Sequence, residues 1–395
     1  MPDLPNLLIV SHVRHYSHDG KLYAYAPYAR EIDIWADLFP ELRIAAPCQN
    51  AAPSGDCAAL TRSNISVVPL PETGGTTLQA KIHQLFRLPA IVWRLRRAMR
   101  WAGAIHVRCP GNVGLIGVLL APLYSRRLVA KFAGQWDAVR GEAVTVRLQK
   151  RILASRWWKG PTTVYGRHSG QPKKVVSFFT SMLDSQQMEM AQAAAAARRE
   201  IGKLRVLFVG RLSRSKNVEC VLRAVALAKS EGTPVEAVIA GEGPEEAALK
   251  ALCHDLRVTE DVQFHGGISF DRVLQLYSDS HVLVLASETE GWPKVVAEAM
   301  AFGVICIASD RGFLREMLGD GRGILIHAGD SKAIASAFSL IAHHPESFDQ
   351  MRRKAAQWSR EYSLEGLRDA LADLLSKCWG ISFTGRSGQM RAAAR

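Results

Sequence analysis

What this chain lacks narrows its chemistry before any motif is read. No apolar run is long enough to cross a bilayer. The longest, 113–124, is broken by Gly117 and Pro122, well short of the ~20 residues that a spanning helix needs. The start, MPDLPNLLIVSH, carries no basic leader and only four consecutive apolar residues, Leu7 to Val10, so a secretory signal is not expected. Cysteine is sparse: seven residues, at 48, 57, 109, 220, 253, 306 and 378, with no CxxC pair. An odd, scattered set argues against a disulfide framework and a structural zinc site. A reducing, cytoplasmic setting is the simple expectation. Neither GxGxxG nor GxxxxGK[ST] occurs, which weakens dinucleotide and ATPase readings. There is no short-period repeat, so a solenoid is not expected.

Acidic residues are missing from one segment in particular. Residues 80–160 hold sixteen Lys or Arg against Asp137 and Glu142 alone, enough to account for the net charge of +13 of the whole chain. A basic field of that size calls for an anionic partner: nucleic acid, acidic lipid headgroups or a phosphorylated substrate. The basic residues follow no RNP-like or helix-turn-helix pattern, so nucleic acid is not expected. On a helical wheel of 90–101 (AIVWRLRRAMRW), Ile91, Val92, Leu95, Ala98 and Met99 share one face, and Arg96, Arg97 and Arg100 share the other with Trp93. Such a helix suits an anionic membrane surface; it equally suits a helix packed on its own sheet with a solvated basic side. Arg156, Trp157, Trp158 and Lys159 add a second cluster of Trp with cations. A protein peripheral on the inner face of a membrane would unite them.

What is present is an alternation. The chain of 395 residues fits two domains of ordinary size. In the second half, continuously apolar runs at 204–210, 235–241, 262–264, 281–287, 304–309 and 323–327 are separated by helical patterns. Strands buried on both faces, with helices between, predict a parallel α/β sheet. The first half repeats this more weakly at 7–11, 43–46, 65–68, 105–108, 128–132, 162–165 and 175–178. We expect an N-terminal domain over 1–185, joined by a C-terminal helix at 359–378. A helical linker over 186–203 (with AQAAAAARRE), a second domain over 204–358 and a loose tail over 380–395 complete the expectation.

Two segments carry chemistry. SETEGWPKVVAEAMAFG, residues 287–303, follows a buried strand, and open parallel sheets bind ligands beyond the carboxyl ends of their strands. Gly291 permits close approach, Pro293 suits a first helical turn, and the helix start favours phosphate. Glu290 and Glu298 could hydrogen-bond a sugar and a ribose; the plain alternative is an acidic helix start with a solvated Glu behind it. FVGRLSRSKN, residues 208–217, places Arg211 and Lys216 at the first strand-to-helix turn of the same domain, where they could clamp a diphosphate. Ordinary surface basicity is the alternative. GEGPEE, residues 241–246, serves to close a backbone turn.

In this order, GRL…K (Gly210, Arg211, Leu212, Lys216), GEGPE, FHGGIS with LYSDSHVLVLAS, EGWPKVVAEAMAFG and SDRGFLREML resemble glycosyltransferase family 4, the group 1 retaining transferases of the GT-B type. The resemblance covers about 204–330. It implies an α/β GT-B fold, two Rossmann-like domains with parallel sheets facing across a cleft, the N-terminal one on the acceptor side. It implies transfer of a hexosyl unit from a nucleoside-diphosphate sugar to a lipid-linked or saccharide acceptor, in cell-surface polysaccharide or glycolipid synthesis, with no cofactor and no metal. Arg211 and Lys216 would hold the diphosphate with Gly210 beside them, Glu298 the ribose and Glu290 the donor sugar. The backbone of Gly291, Trp292, Pro293, Lys294 and Val295 would touch sugar and phosphates, and Gly266, Gly267 and Ile268 would lie near the base. Trp292 and Asn217 are mild departures. The N-terminal half departs more: it has no glycine pair after the first strand, and Ala133–Asp137 stands where members often carry a histidine, so no catalytic histidine carries over. Gln135 or Asp137 could face the cleft or form a structural turn. His12, His15 and His18 read as solvated loop histidines rather than metal ligands. A nucleotide-sugar epimerase or phosphorylase, a basic nucleic-acid-binding protein and an inactive scaffold stay open as alternatives.

Overall fold

The alternating runs fold into two parallel sheets, each inside its own unit: Met1–Thr180 with Leu364–Arg395, and Ser181–Ser363. The computed structural model describes residues 4–72, 78–137, 141–166, 170–197 and 201–383, with backbone only for 78–85. Most of the expected tail, 384–395, lies outside the described residues.

The first unit runs β1 (Leu7–Val10), β2 (His15–His18), β3 (Lys21–Tyr25), α1 (Ala26–Leu38), β4 (Leu42–Asn50), β5 (Cys57–Ala59), β6 (Ile65–Leu70), α2 (Leu78–Trp101), β7 (Ala104–Cys109), α3 (Asn112–Leu120), β8 (Arg127–Phe132), α4 (Val144–Ala154), β9 (Thr162–Val164) and β10 (Val175–Ser177). Its parallel core has the order β6-β4-β1-β7-β8-β9-β10. β4 is long enough to serve twice: Leu42–Ala45 pairs with β1, and Cys48–Asn50 pairs with β2. β2 and β3 form an antiparallel hairpin closed by Asp19 and Gly20, both at positive φ, the backbone that an Asp-Gly turn supplies. The expectation of solvated loop histidines is therefore corrected for His15 and His18, which lie in β2; His12 is exposed in the loop before it. His15 is fully buried, its ring edge-on to Tyr28 at 5.4 Å, and burial pushes its pKa down to about 4.

The last helix, Leu364–Trp379, returns to this unit and lies on α1. Leu367, Leu371 and Leu375, four apart and so on one face, share a core with Ile32, Trp35 and Phe39. Each such leucine contributes about 1.5–3 kcal/mol by leaving water. Ile381 and Phe383 join that core, so the chain is not loose from 380 onward: packing continues to 383.

The second unit begins earlier than the sequence suggests. The expected linker is α5 (Ser185–Ala196), opened by a capping box in which Asp184 accepts from the Gln187 amide. It belongs to this unit, with Met188 and Ala191 buried and Ala195 against Gly303. The boundary falls between Thr180 and Ser181. Then follow β11 (Leu204–Val209), α6 (Val218–Ser230), β12 (Val235–Ala240), α7 (Glu246–Asp255), β13 (Val262–Gly266), α8 (Phe270–Asp279), β14 (Val282–Leu285), α9 (Lys294–Ala301), β15 (Ile305–Ser309), α10 (Leu314–Leu318), β16 (Ile324–Ile326), α11 (Ser331–His343) and α12 (Asp349–Ser359). All six strands are parallel, in the order β13-β12-β11-β14-β15-β16. This is the doubly wound order, which reverses once, between β11 and β14.

The loops after β11 and β12 pack backbone to backbone. At Gly241, with φ +138°, a Cβ would stand 1.9 Å from the Gly210 carbonyl oxygen. Gly241→Ala is therefore expected to lose at least about 2 kcal/mol of stability, read as a lower urea midpoint. An unchanged midpoint would contradict the close approach.

Candidate functional site in the C-terminal sheet

Where a doubly wound sheet reverses, the loops leaving two neighbouring strands turn to opposite faces and leave a crevice. Here those loops are 210–217, after β11, and 286–293, after β14. The first is stiffened by a single 3-10 turn, Arg214–Lys216, that Asn217 ends in the left-handed conformation at φ +49°. Glycine or asparagine suits that backbone, which explains why asparagine serves there. The Asn217 amide then reaches across the crevice and donates to the Ala286 carbonyl and to Glu288 Oε1, both at 3.0 Å. The Glu288 amide donates back to the Ser215 carbonyl at 2.9 Å. Three hydrogen bonds thus fix one loop against the other.

Between them two of the residues singled out in the sequence meet. Lys216 Nζ donates to Glu290 Oε1 at 2.6 Å, with the carboxylate side chain 10% exposed and the lysine 26%. A short charge-assisted bond of this kind holds both groups in one place. Arg211, on the same loop, is exposed. The start of α9 follows directly. Pro293 stands just outside the helix rather than inside its first turn, so the helix itself starts at Lys294.

Glu298 is not a solvated residue behind the helix start. It is 5% exposed, and Oε2 accepts from the Tyr277 hydroxyl of α8 at 2.8 Å. Burial, then the adjoining Glu298 carboxylate, pushes the Tyr277 phenol well above its usual range, so it stays a donor. Trp292 also differs from a surface contact. Its side chain is 7% exposed and stacks on Phe313 at 4.8 Å, with Trp358 and Tyr362 on its other sides. What it offers the crevice is backbone. The GEGPEE turn does more than close itself: Glu242 Oε1 accepts from the Gly267 amide at 3.0 Å. That bond fixes the Gly266–Ile268 loop and occupies one of its donors. Gly210, Gly291, Lys294 and Val295 remain partly exposed.

The first unit holds charged residues that the sequence reading missed. Arg108 Nη1 and Lys131 Nζ each donate to one oxygen of Glu31, at 2.7 Å, and all three residues are buried. Burial alone would raise the Glu31 carboxyl; the Arg108 guanidinium and Lys131 ammonium overcome it and hold the group well below the usual carboxylate range. A signal existed. Lysine inside LVAKF and arginine inside IHVRC interrupt strands otherwise buried on both faces, and buried charges are expected to be paired. Gln135 is partly exposed and Asp137 exposed, in the turn after β8. Among the described residues, no group of three or more His, Cys, Asp or Glu could hold a metal.

The likeness to known proteins is strongest over the C-terminal unit. The family model of glycosyl transferases group 1 matches residues 193–358. The putative glycosyltransferase EpsD of Bacillus subtilis is 30% identical over 172 residues, 43% of this chain and 45% of that protein. An alpha-1,4-N-acetyl-D-galactosaminyltransferase of Campylobacter jejuni, whose name gives a PP-undecaprenol-linked saccharide, is 28% identical over 44% of this chain and 48% of its own length. The chain thus spans about half the length of these curated relatives. Among solved structures, HepE of Anabaena in complex with UDP and glucose aligns with a TM-score of 0.68 at 15% identity, over 94% of this chain and 99% of that one. Residues 193–358 accordingly make up a glycosyl transferases group 1 domain, in a chain whose two Rossmann-like units have the GT-B fold.

Proposed function

We propose that this chain is a retaining glycosyltransferase, moving a hexosyl unit from a nucleoside-diphosphate sugar to an acceptor in cell-surface polysaccharide or glycolipid synthesis. The observation that carries the reading is the meeting of Lys216 and Glu290 at 2.6 Å where the C-terminal sheet reverses, beside Arg211 and the start of α9. A donor diphosphate there meets a guanidinium, an ammonium and a helix N-terminus, which together stabilise the charge that develops as it leaves. Glu290 holds the ammonium in the crevice before donor arrives and turns its second oxygen to the sugar hydroxyls. Glu298, oriented by Tyr277, takes the ribose. The Gly291–Val295 backbone lies along the phosphates, and Gly266–Ile268 beside the base. Same-face attack by the acceptor gives retention; a double displacement would need a carboxylate behind the anomeric carbon, and none is assigned that role.

The acceptor reading rests on the first unit's surface. α2 buries Ile91, Leu95, Ala98 and Met99 in its own core, so its apolar face is unavailable to a membrane. Its other side is exposed: Arg96, Arg97, Arg100 and Trp93, the last 61% exposed. Arg96 Nε donates to the Tyr124 hydroxyl at 2.9 Å, and Trp157 Nε1 to the Val118 carbonyl at 3.1 Å. Leu119, Leu123 and Trp157 are exposed close by, while Trp158 is fully buried. Aromatic and aliphatic side chains set among arginines suit an anionic lipid surface. No helix among the described residues is long and apolar enough to cross a membrane. A lipid-linked acceptor presented at that surface fits this arrangement.

Two measurements check the reading. In a thermal-shift panel of UDP-, GDP- and ADP-sugars, at least one donor should raise the melting temperature, and Lys216→Ala or Glu298→Ala should abolish the rise. Removing Lys216 should also slow turnover by roughly 10²–10³-fold, as loss of one preorganised donor does. A broad panel without effect would remove the donor assignment. Separately, vesicles rich in anionic lipid should retain the protein at low salt and release an Arg96/Arg97/Arg100→Glu variant. Equal retention of both would end the membrane reading.

A further inference from the structure

The N-terminal sheet has its own reversal, between β1 and β7, and the groups gathered there are not among those assigned to the donor. His12 follows β1 and its ring lies over Gly111: a Cβ on that glycine would stand 2.9 Å from His12 Nδ1. Arg108 is the last residue but one of β7, and Lys131 lies at the matching position of β8, paired with it in register. α3 starts at Asn112 with no side-chain cap, so its positive end opens at the same edge.

The charges do not balance. Glu31 is the one acid bonded to either cation among the described residues, and it gives one oxygen to each. One negative charge therefore faces two positive ones, at side chains 5%, 10% and 7% exposed. Burying an uncompensated charge is costly, so a further anion at this edge would relieve the excess. The remaining donors are also numerous. A guanidinium has five N–H groups and an ammonium three, and Glu31 takes one from each. Two aromatic faces also lie against the cations, Tyr28 under Arg108 at 4.8 Å and Tyr165 under Lys131 at 5.5 Å, which stabilise positive charge. Among the described residues His12, His15 and His106 also face Arg108, and none adds a negative charge.

We propose that Arg108 and Lys131 form a phosphoryl-binding site for the acceptor, with Glu31 as the positioning residue that presents both. An arginine fork, a lysine point charge and a helix N-terminus are the set that a phosphoryl group takes. The acceptor half of this statement rests on the glycosyltransferase reading; the phosphoryl site itself does not. Two sources share the chemistry, an isoprenyl phosphate and a soluble polyol phosphate.

The test needs no donor. The melting temperature of the full chain is followed with inorganic phosphate, glycerol 3-phosphate and a short-chain isoprenyl phosphate, in wild type, Lys131→Met, Lys131→Arg and Lys216→Ala. Wild type and Lys216→Ala should respond alike, Lys131→Arg should keep the response, and Lys131→Met should weaken it at least tenfold. Lys131→Met takes the donor from one buried oxygen of Glu31, so each protein's response is read against its own melting temperature in probe-free buffer. A tighter response to the isoprenyl or to the polyol probe tells the source, and either supports the site. A response equal in Lys131→Met and wild type, lost in Lys131→Arg, or absent from every protein overturns the proposal. A response lost in Lys216→Ala but kept in Lys131→Met places the phosphate on the donor loop; it overturns this site while supporting the donor reading.

Discussion

In a parallel sheet wound from its middle outward, connections run to one face on one side of the starting strand and to the opposite face on the other. Only at the change of direction do two adjacent loops part company. That constraint decides where both units can hold a ligand. In the C-terminal sheet the parting lies between β11 and β14, and in the N-terminal sheet between β1 and β7. The side chains that follow are choices made at places the topology has already opened.

The two places are furnished differently. In the C-terminal crevice the Lys216 charge is matched by Glu290, and the positive surplus comes from Arg211 and the helix end. The loops are tied by amide and carbonyl bonds from Asn217 and Glu288, so the crevice is fixed before any ligand arrives. In the N-terminal sheet the surplus is carried by buried side chains around a single carboxylate. A group held that way is stiff, because moving either cation breaks a bond in a poorly solvated setting.

Much of this was legible in the residues. The apolar runs of the second half became strands within a residue or two, because a strand buried on both faces tolerates little else. The acidic and basic residues at 211, 216, 290 and 298 could be picked out because strand, glycine and helix start follow one another in fixed order there. Three things were harder to see. β2 and β3 carry mixed, half-exposed residues, and only Asp19-Gly20 announces them. The alanine-rich stretch before 198 looks like a tether because alanine forms helix anywhere; that it packs on α9 depends on Gly303, a hundred residues away. Glu31, Arg108 and Lys131 are 77 and 100 positions apart in pairs, and no local pattern joins them.

The return of the helix Leu364–Trp379 to the first unit has a consequence for biosynthesis. Ile32, Trp35 and Phe39 share their core with Leu367, Leu371, Leu375 and Phe383. A nascent chain that has emerged as far as Thr180 holds every strand of the first sheet, yet the greasy side of α1 still faces water. That side stays bare while the whole second unit is translated, and it closes only as the last few dozen residues leave the ribosome. The first unit is begun first and finished last, so a chain cut short between Leu364 and Leu371 has its second unit complete and its first unsealed.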